Sequence, residues 1–343
     1  MIKRISKFLG ALALAGFFFW LAFRNVNIQQ LWSYAKNISF WWLLPFAITM
    51  ILSNVFRAER WRLLIEHEKK DLDHVTLIAG VFNGYFFNLI GPRFGEVSRP
   101  VYVARREDIS PSKLIGTIVL ERVIDVVTMM ILMIITAVYL ISDMGVLRQI
   151  FGDKAMNLIS GNIPLMYVLW AFIAVLGLGI LTYSGIKMIQ FLASRIERVH
   201  YWVQKFKKAL YNFKDGLLAV RQVERWGFFI LYTILIWTCY VLMSYIPFWM
   251  FNMQHVYGLG ILPAITITVV SSIGIAIPSP AGLGTYEYFV KQTLVLLFGV
   301  PAVTGLAYAT VTHAVTILMV IIFTPITFAI DKRRQARSGA EPI

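Results

Sequence analysis

The sequence predicts an all-α integral membrane protein, and three observations support that prediction. Hydrophobic residues make up 58% of the 343 positions and charged residues only 15%, against about a quarter in soluble domains. Six apolar stretches are long enough to cross a bilayer, which takes about 20 residues, and two more are broken by Gly and Pro. A soluble enzyme with a single core could not bury so much apolar surface.

The apolar stretches define the predicted elements in chain order. The first span follows three cations and resembles a signal peptide, but its apolar run continues through Trp20, so we expect it to be retained. The six predicted spans are residues 5–23, 40–56, 114–141, 163–183, 226–250 and 302–329. The two interrupted stretches are residues 75–103 and 259–300.

Lys and Arg predict the orientation, because cytoplasmic segments are rich in both. Five segments hold 26 of the 32 cations: the N-terminus, residues 57–70, 93–113 and 187–225, and the C-terminus. Both segments that flank 75–103 are basic, which predicts a re-entrant hairpin from the cytoplasmic side. The basic C-terminus predicts that 259–300 is a hairpin from the opposite side. We therefore expect both termini to be cytoplasmic, in the cell (plasma or inner) membrane.

Residues 186–225 combine apolar and basic side chains at helical spacing, which predicts an amphipathic helix at the cytoplasmic interface. Such a helix either senses lipid or is a solvated or docked connector. The net charge of +14 comes from cations that flank apolar runs. Anionic lipid headgroups are therefore the expected partners, rather than nucleic acid.

The order of spans and hairpins predicts a single transmembrane domain (1–343) built from an inverted-topology repeat. The pseudo-repeats cover about 1–160 and 161–343. Each break contains Pro, then Gly, then Glu, and a polar residue follows the Glu by 26 positions: Arg122 after Glu96, and His313 after Glu287.

These breaks are candidate sites, because irregular backbone at membrane depth must be buried in protein or line a cavity. A half-helix that begins there points amide groups at an anion such as a lipid phosphate; a packing kink is the alternative. Equivalent ends of the repeat should converge on one cavity, with Glu96 and Glu287 as gates or proton carriers. The candidate translocation residues are Pro92, Arg93, Gly95, Glu96, Arg99, Glu121, Arg122, Asp125, Pro280, Gly282, Gly284, Glu287 and His313.

Charges within two spans need partners. Glu121 and Asp125 are four residues apart on one helix face and repel each other, so they need a proton or a shared cation. Arg122, Arg93 and Arg99 are the plausible cations, and a purely structural ion-pair cluster is the alternative. His313 is either a proton relay or a hydrogen-bonded packing residue.

No catalytic, cofactor or metal motif is evident. The sequence contains no P-loop and no GxSxG, and its single cysteine, Cys239, lies in an apolar run. We expect no cofactor and no bound metal.

The motifs resemble the flippase-like membrane domain of lysylphosphatidylglycerol synthases. The resemblance covers most of the chain and rests on residues 57–62, 88–96 with Arg99, 120–125, and 280–284 with Glu287. It implies movement of a charged lipid between leaflets, either an aminoacylated phospholipid or a polyprenyl-phosphate-linked glycan. Relatives often have Arg where this chain has His313. The printed chain ends without the soluble synthase domain, so we do not expect synthase chemistry.

We therefore expect a transporter of an anionic or zwitterionic lipid. The alternatives are an intramembrane lipid-modifying transferase and a scaffold subunit of a lipid-synthesis complex. The sequence leaves open whether the chain forms a homo-oligomer.

Overall fold

The computed structural model describes residues 2–24, 26–36, 38–142 and 223–338, and all regular secondary structure in these ranges is helical. The chain divides into two compact units, Met1–Tyr139 with Ala219–Ile343, and Leu140–Leu218. Nearly all of the described residues belong to the first unit. The predicted span 163–183, the repeat boundary near 160 and most of 186–225 lie outside the described residues.

Within each described range, the helices follow one another with short connections. Their bounds are α1 (Ile2–Phe23), α2 (Ile28–Lys36), α3 (Leu43–Ile65), α4 (His74–Ile90), α5 (Gly95–Glu107), α6 (Pro111–Ser142), α7 (Trp226–Met250), α8 (Met253–Val256), α9 (Ile261–Ala276), α10 (Thr285–Phe298) and α11 (Ala302–Ser338). Two 3-10 turns, Phe40–Trp42 and Pro280–Gly282, precede α3 and α10.

Four helical segments in the described ranges have the length and apolar character to cross a bilayer. They are Phe40–Ile65, Pro111–Leu140, Trp226–Met250 and Ala302–Ala336. Each covers one of the predicted spans, except that Pro111–Leu140 ends one residue before the predicted span 114–141. Shorter apolar helices cover Gly10–Phe23, His74–Ile90 and Ile261–Ala276. The first of these lies in α1, which covers the first predicted span.

Both interrupted stretches break where the sequence predicts. The first consists of α4 and α5, which pack against each other on either side of residues 91–94. The second consists of α9 and α10, separated by residues 277–284. Ile277 has an extended ψ of 131°, because a residue that precedes a proline is disfavoured in the α-helical region.

Glycines allow close backbone contacts at both breaks. A Cβ on Gly95 would lie 2.0 Å from the Gly84 carbonyl oxygen, so α4 and α5 can meet this closely only without a side chain there. At the second break, a Cβ on Gly284 would lie 2.4 Å from the carbonyl oxygen of Ala15 in α1. Gly284 also has a φ of +79°, which L side chains rarely adopt.

Helix α11 contacts both helix pairs. It packs against α10 at the second break and against α4 of the first. Near its C-terminal end, Asp331 is fully buried and accepts hydrogen bonds from Thr76 Oγ1 (2.5 Å) and Tyr102 OH (2.6 Å). These contacts connect α11 to α4 and to α5.

The structure corrects the predicted end of the second span. That span was expected to stop at residue 56, with Arg57 and Arg60 in a basic cytoplasmic segment. Instead α3 continues to Ile65, and both arginines are buried within it. The helix continues because no Gly or Pro lies between residues 56 and 65 and because buried acids neutralise both guanidinium groups, as described next.

Candidate functional site

Five buried charged side chains form an arginine cluster beside the first break: Arg57, Arg60, Arg99, Glu121 and Asp125. Arg60 Nη2 donates to Asp125 Oδ1 at 2.7 Å and lies 3.3 Å from Glu121 Oε1. Arg57 also contacts both acids, each at 3.4 Å. Arg99 Nη1 lies 3.1 Å from Glu121 Oε2. The repulsion expected between the two acids is therefore relieved by shared arginines.

The arginine cluster carries an excess of positive charge. Three arginines face two carboxylates, so one positive charge has no carboxylate of its own within the cluster. Arg60 is 0% exposed and Glu121 is 1% exposed. Burial at this level is costly for any unpaired charge, so the cluster suits an additional anion.

Neighbouring aromatic and hydroxyl groups hold the arginines in place. The Trp61 ring lies under the Arg99 guanidinium, 4.0 Å from Cζ to the ring centroid. The indole Nε1 of Trp61 donates to Thr117 Oγ1 at 2.9 Å, which fixes the ring. Arg57 Nη2 donates to Tyr240 OH at 2.6 Å. The charged groups are thus fixed by α3, α5, α6 and α7 together.

Several buried guanidinium nitrogens of the arginine cluster have no hydrogen-bond acceptor among the described residues. They are Nε of Arg57, Nε of Arg60, and Nε and Nη2 of Arg99. Buried donors are nearly always paired in native proteins. Water or an anion can supply the missing acceptors.

A small cleft opens beside the cluster. Its interior volume is about 20 Å³, which is the space of about one water molecule. The lining residues are Arg57, Val81, Gly84, Tyr85, Asn88, Gly95, Glu96, Arg99, Ile118 and Arg122. Arg122 and Glu96 are partly exposed, with 47% and 43% of their side chains accessible, and their charged atoms are 4.0 Å apart. The polar end of the cleft is therefore the arginine cluster.

A second group lies at the second break and consists of the Glu287–His313 pair. His313 Nδ1 is 2.7 Å from Glu287 Oε1, and His313 Nε2 is 3.1 Å from the Ala281 carbonyl oxygen. The other carboxylate oxygen of Glu287 accepts the Gly284 N–H at 2.8 Å, which caps α10. Both side chains are buried.

The two breaks share one arrangement. At each break, the glutamate near the start of the second half-helix contacts the residue 26 positions later: Glu96 contacts Arg122, and Glu287 contacts His313. The equal spacing found in the sequence thus corresponds to a side-chain contact in both halves.

The predicted site residues fall into these two groups rather than one. Arg99, Glu121 and Asp125 join the arginine cluster, and Gly95, Glu96 and Arg122 line its cleft. Pro280, Gly282, Gly284, Glu287 and His313 belong to the second break.

No ion pair or hydrogen bond among the described residues joins the two groups. The cleft is lined only by residues 57–122. It therefore belongs to the first break and is not a cavity shared by both breaks. The second break instead approaches the first through Pro280–Gly282, which packs on α4.

Two residues of the first break lie apart from the cluster. Arg93 is exposed with a φ of +63°, and Pro92 precedes it in the turn. The cation role considered for Arg93 is performed by Arg57 and Arg60. The backbone amides that were expected to bind an anion already donate to side chains of the protein. The Gly95 N–H donates to Asn88 Oδ1 at 2.8 Å, and the Gly284 N–H donates to Glu287.

Sequence reasoning missed Arg57, Arg60 and Tyr240 as site residues. Both arginines follow an apolar run, which in a sequence indicates cytoplasmic anchors. Their spacing of three residues, with no helix breaker before Ile65, is the signal that could have placed them on one helix face. No signal distinguishes Tyr240 within its continuous apolar helix.

Comparisons with known proteins agree with this architecture. The family described as the lysylphosphatidylglycerol synthase TM region matches residues 8–323. UPF0104 membrane protein PH1989 of Pyrococcus horikoshii is 23% identical over 256 residues, which cover 73% of this chain and 75% of that protein. No solved structure matches the chain. The chain is a multi-pass membrane protein and belongs to the family of the lysylphosphatidylglycerol synthase transmembrane region.

Proposed function

We propose that this protein moves a lipid with a phosphate-bearing headgroup between leaflets, and that the cleft beside the arginine cluster widens to hold the headgroup. The observation that carries this proposal is the excess buried positive charge, with unpaired guanidinium donors, in a cluster that forms one end of an open cleft.

Phosphate is the anion that this chemistry fits best. A guanidinium presents a planar fork of N–H donors that matches phosphate oxygens. Arg99 and Arg57 both line the cleft and both have unpaired donors. An aminoacylated phospholipid and a polyprenyl-phosphate-linked glycan share such a phosphate next to apolar chains. Glu96 at the mouth adds an acceptor for a cationic group on a zwitterionic headgroup.

The finer architecture belongs to the same proposal. We place six full spans and two re-entrant hairpins, α4–α5 and α9–α10, in an inverted repeat, with both termini cytoplasmic in the cell membrane. The paired breaks, the equal 26-residue contacts and the distribution of cations support this arrangement. A headgroup would travel along the cleft while its acyl chains remain in lipid.

Reconstitution tests this function. The purified protein in liposomes should exchange a fluorescent anionic phospholipid between leaflets, as measured by quenching of the outer leaflet. Arg99→Gln should slow exchange strongly because it removes a cleft donor. Arg334→Gln, which changes an arginine with a 60% exposed side chain, should leave the rate unchanged.

The two alternative functions give different results in the same experiment. A transferase would convert the lipid chemically, which mass spectrometry of the liposomes detects. A scaffold would neither exchange nor convert it. Equal exchange by wild-type protein and Arg99→Gln would contradict the proposed headgroup site.

A further inference from the structure

We infer that Glu287 and His313 form a proton-binding site whose protonation controls lipid movement. This inference rests on the proposed function and adds a driving or regulating ion to it. The site consists of the Glu287–His313 pair, the Ala281 carbonyl and the Gly284 amide, all at the second break.

The geometry fixes the number of protons in the site. A carbonyl oxygen only accepts hydrogen bonds, so His313 Nε2, 3.1 Å from the Ala281 oxygen, must carry a proton. The 2.7 Å contact between His313 Nδ1 and Glu287 Oε1 needs a second proton, on either atom. The pair is neutral in both cases, as imidazolium with carboxylate or as imidazole with carboxylic acid.

Loss of one proton breaks this arrangement. The remaining proton can sit on Nε2, and then the Nδ1 lone pair faces the carboxylate. It can instead sit on Nδ1, and then the Nε2 lone pair faces the Ala281 carbonyl. One of the two hydrogen bonds is lost either way, and the pair gains a net negative charge in a buried position, which is unfavourable.

Among the described residues, no Lys or Arg makes an ion pair with Glu287 that could replace the lost proton. On α10, the Tyr286 ring lies 4.6 Å from the His313 ring, and its hydroxyl pairs with Thr312 at 3.1 Å. Lys291, also on α10, points to α1, where its Nζ donates to the carbonyl of Ala22 at 2.6 Å.

No titratable or charged group from α1, α4, α9 or the Pro280–Gly282 turn makes a hydrogen bond or ion pair with Glu287 or His313 within the described ranges. Within these ranges, the shared proton is therefore contacted only by Glu287 and His313.

The pair is connected to the headgroup cleft by packing. Ala281 belongs to the turn Pro280–Gly282, which packs against α4. Helix α4 lines the cleft with Gly84, Tyr85 and Asn88. A change in the hydrogen bond to Ala281 therefore acts on a turn that contacts the wall of the proposed headgroup site.

The experiment measures lipid exchange in liposomes between about pH 5 and pH 8, the range in which histidine usually changes charge. Wild-type exchange should depend on pH, with a limiting slope of about tenfold per pH unit for one proton. Glu287→Gln should make exchange independent of pH, because an amide keeps both hydrogen bonds of the glutamate without a transferable proton. His313→Gln should also abolish the dependence.

His74→Gln is the matched control. His74 forms a second Glu–His pair, with Glu59, but its side chain is 56% exposed. This variant should keep the wild-type pH profile. A wild-type profile in Glu287→Gln would overturn the inference.

A flat profile in wild-type protein that still exchanges lipid would also overturn it, whether or not the variants fold, and would leave the proposed function intact. Absence of exchange at every pH would contradict the proposed function itself. The two failures are therefore distinguishable.

Discussion

At the scale of single residues, the arginine cluster neutralises the repulsion between Glu121 and Asp125 that the sequence predicts. Glu121 and Asp125 lie one helical turn apart, and each of them contacts both Arg57 and Arg60. Because each arginine contacts both acids, neither acid needs a proton to remain buried. The removal of one arginine should therefore affect both carboxylates.

The variant Arg60→Met tests this dependence. It keeps an unbranched apolar side chain but removes the guanidinium that contacts Asp125 most closely, at 2.7 Å, so we expect a loss of about 2–3 kcal/mol in the free energy of unfolding. Arg122→Gln changes a partly exposed arginine on the same face and should cost at most about 1 kcal/mol. Thermal unfolding in detergent compares the two. Equal effects would mean that the buried pairing contributes little to stability.

The sequence predicts part of this site and misses the rest for a physical reason. Glu121, Asp125 and Arg99 were found because a charge inside an apolar span is conspicuous. Arg57 was misplaced because a cation at the end of an apolar run looks the same whether its partner is lipid phosphate or a carboxylate 68 residues away. The sequence could have predicted that Glu287 caps a helix, since a glutamate three residues after Gly284 fits the capping pattern.

At the scale of helices, the α4–α5 pair includes an unusually close backbone contact. Small residues at such contacts are typical of helix packing in membranes. Gly84 and Gly95 place the two backbones so close that a methyl group has no room. This contact also places Arg99, one turn after Gly95, next to Glu121.

Gly95→Ala tests this contact. Its Cβ would lie 2.0 Å from a backbone oxygen, so α5 must shift and the protein should lose both stability and lipid exchange. Gly227→Ala is the matched control, since nothing lies within 4 Å of its Cβ. That change should be neutral or stabilising by up to about 1 kcal/mol. Retained stability and exchange in Gly95→Ala would show that the hairpin tolerates separation.

At the scale of the whole molecule, the hydrophobic pattern predicts the helices well and their ends less well. The predicted span 226–250 coincides with α7 because a continuous apolar run follows Arg225 directly. The last predicted span stops at residue 329, but α11 continues to Ser338. Its final turns contain Asp331. Hydropathy alone ends the span before this charged residue, but buried hydrogen bonds keep it in the helix.

Cysteine labelling tests the proposed orientation. In a Cys239→Ala background, Lys113→Cys and Arg334→Cys should react only with reagent on the cytoplasmic side, because both native side chains are exposed near basic segments. His255→Cys, in the turn after α7, should react from the opposite side. Labelling of all three positions from one side would exclude the proposed topology.

The length of α11 has a mechanical consequence. His313 and Asp331 lie 18 residues apart on this helix, about 27 Å along its axis, and one contacts the second break while the other contacts the first hairpin. A straight helix with contacts at both ends transmits tilt or rotation from one end to the other. Pro325 lies between the two contacts and lacks the N–H that would continue the helical ladder there. Motion of one hairpin must therefore either displace the other or bend α11 at this residue.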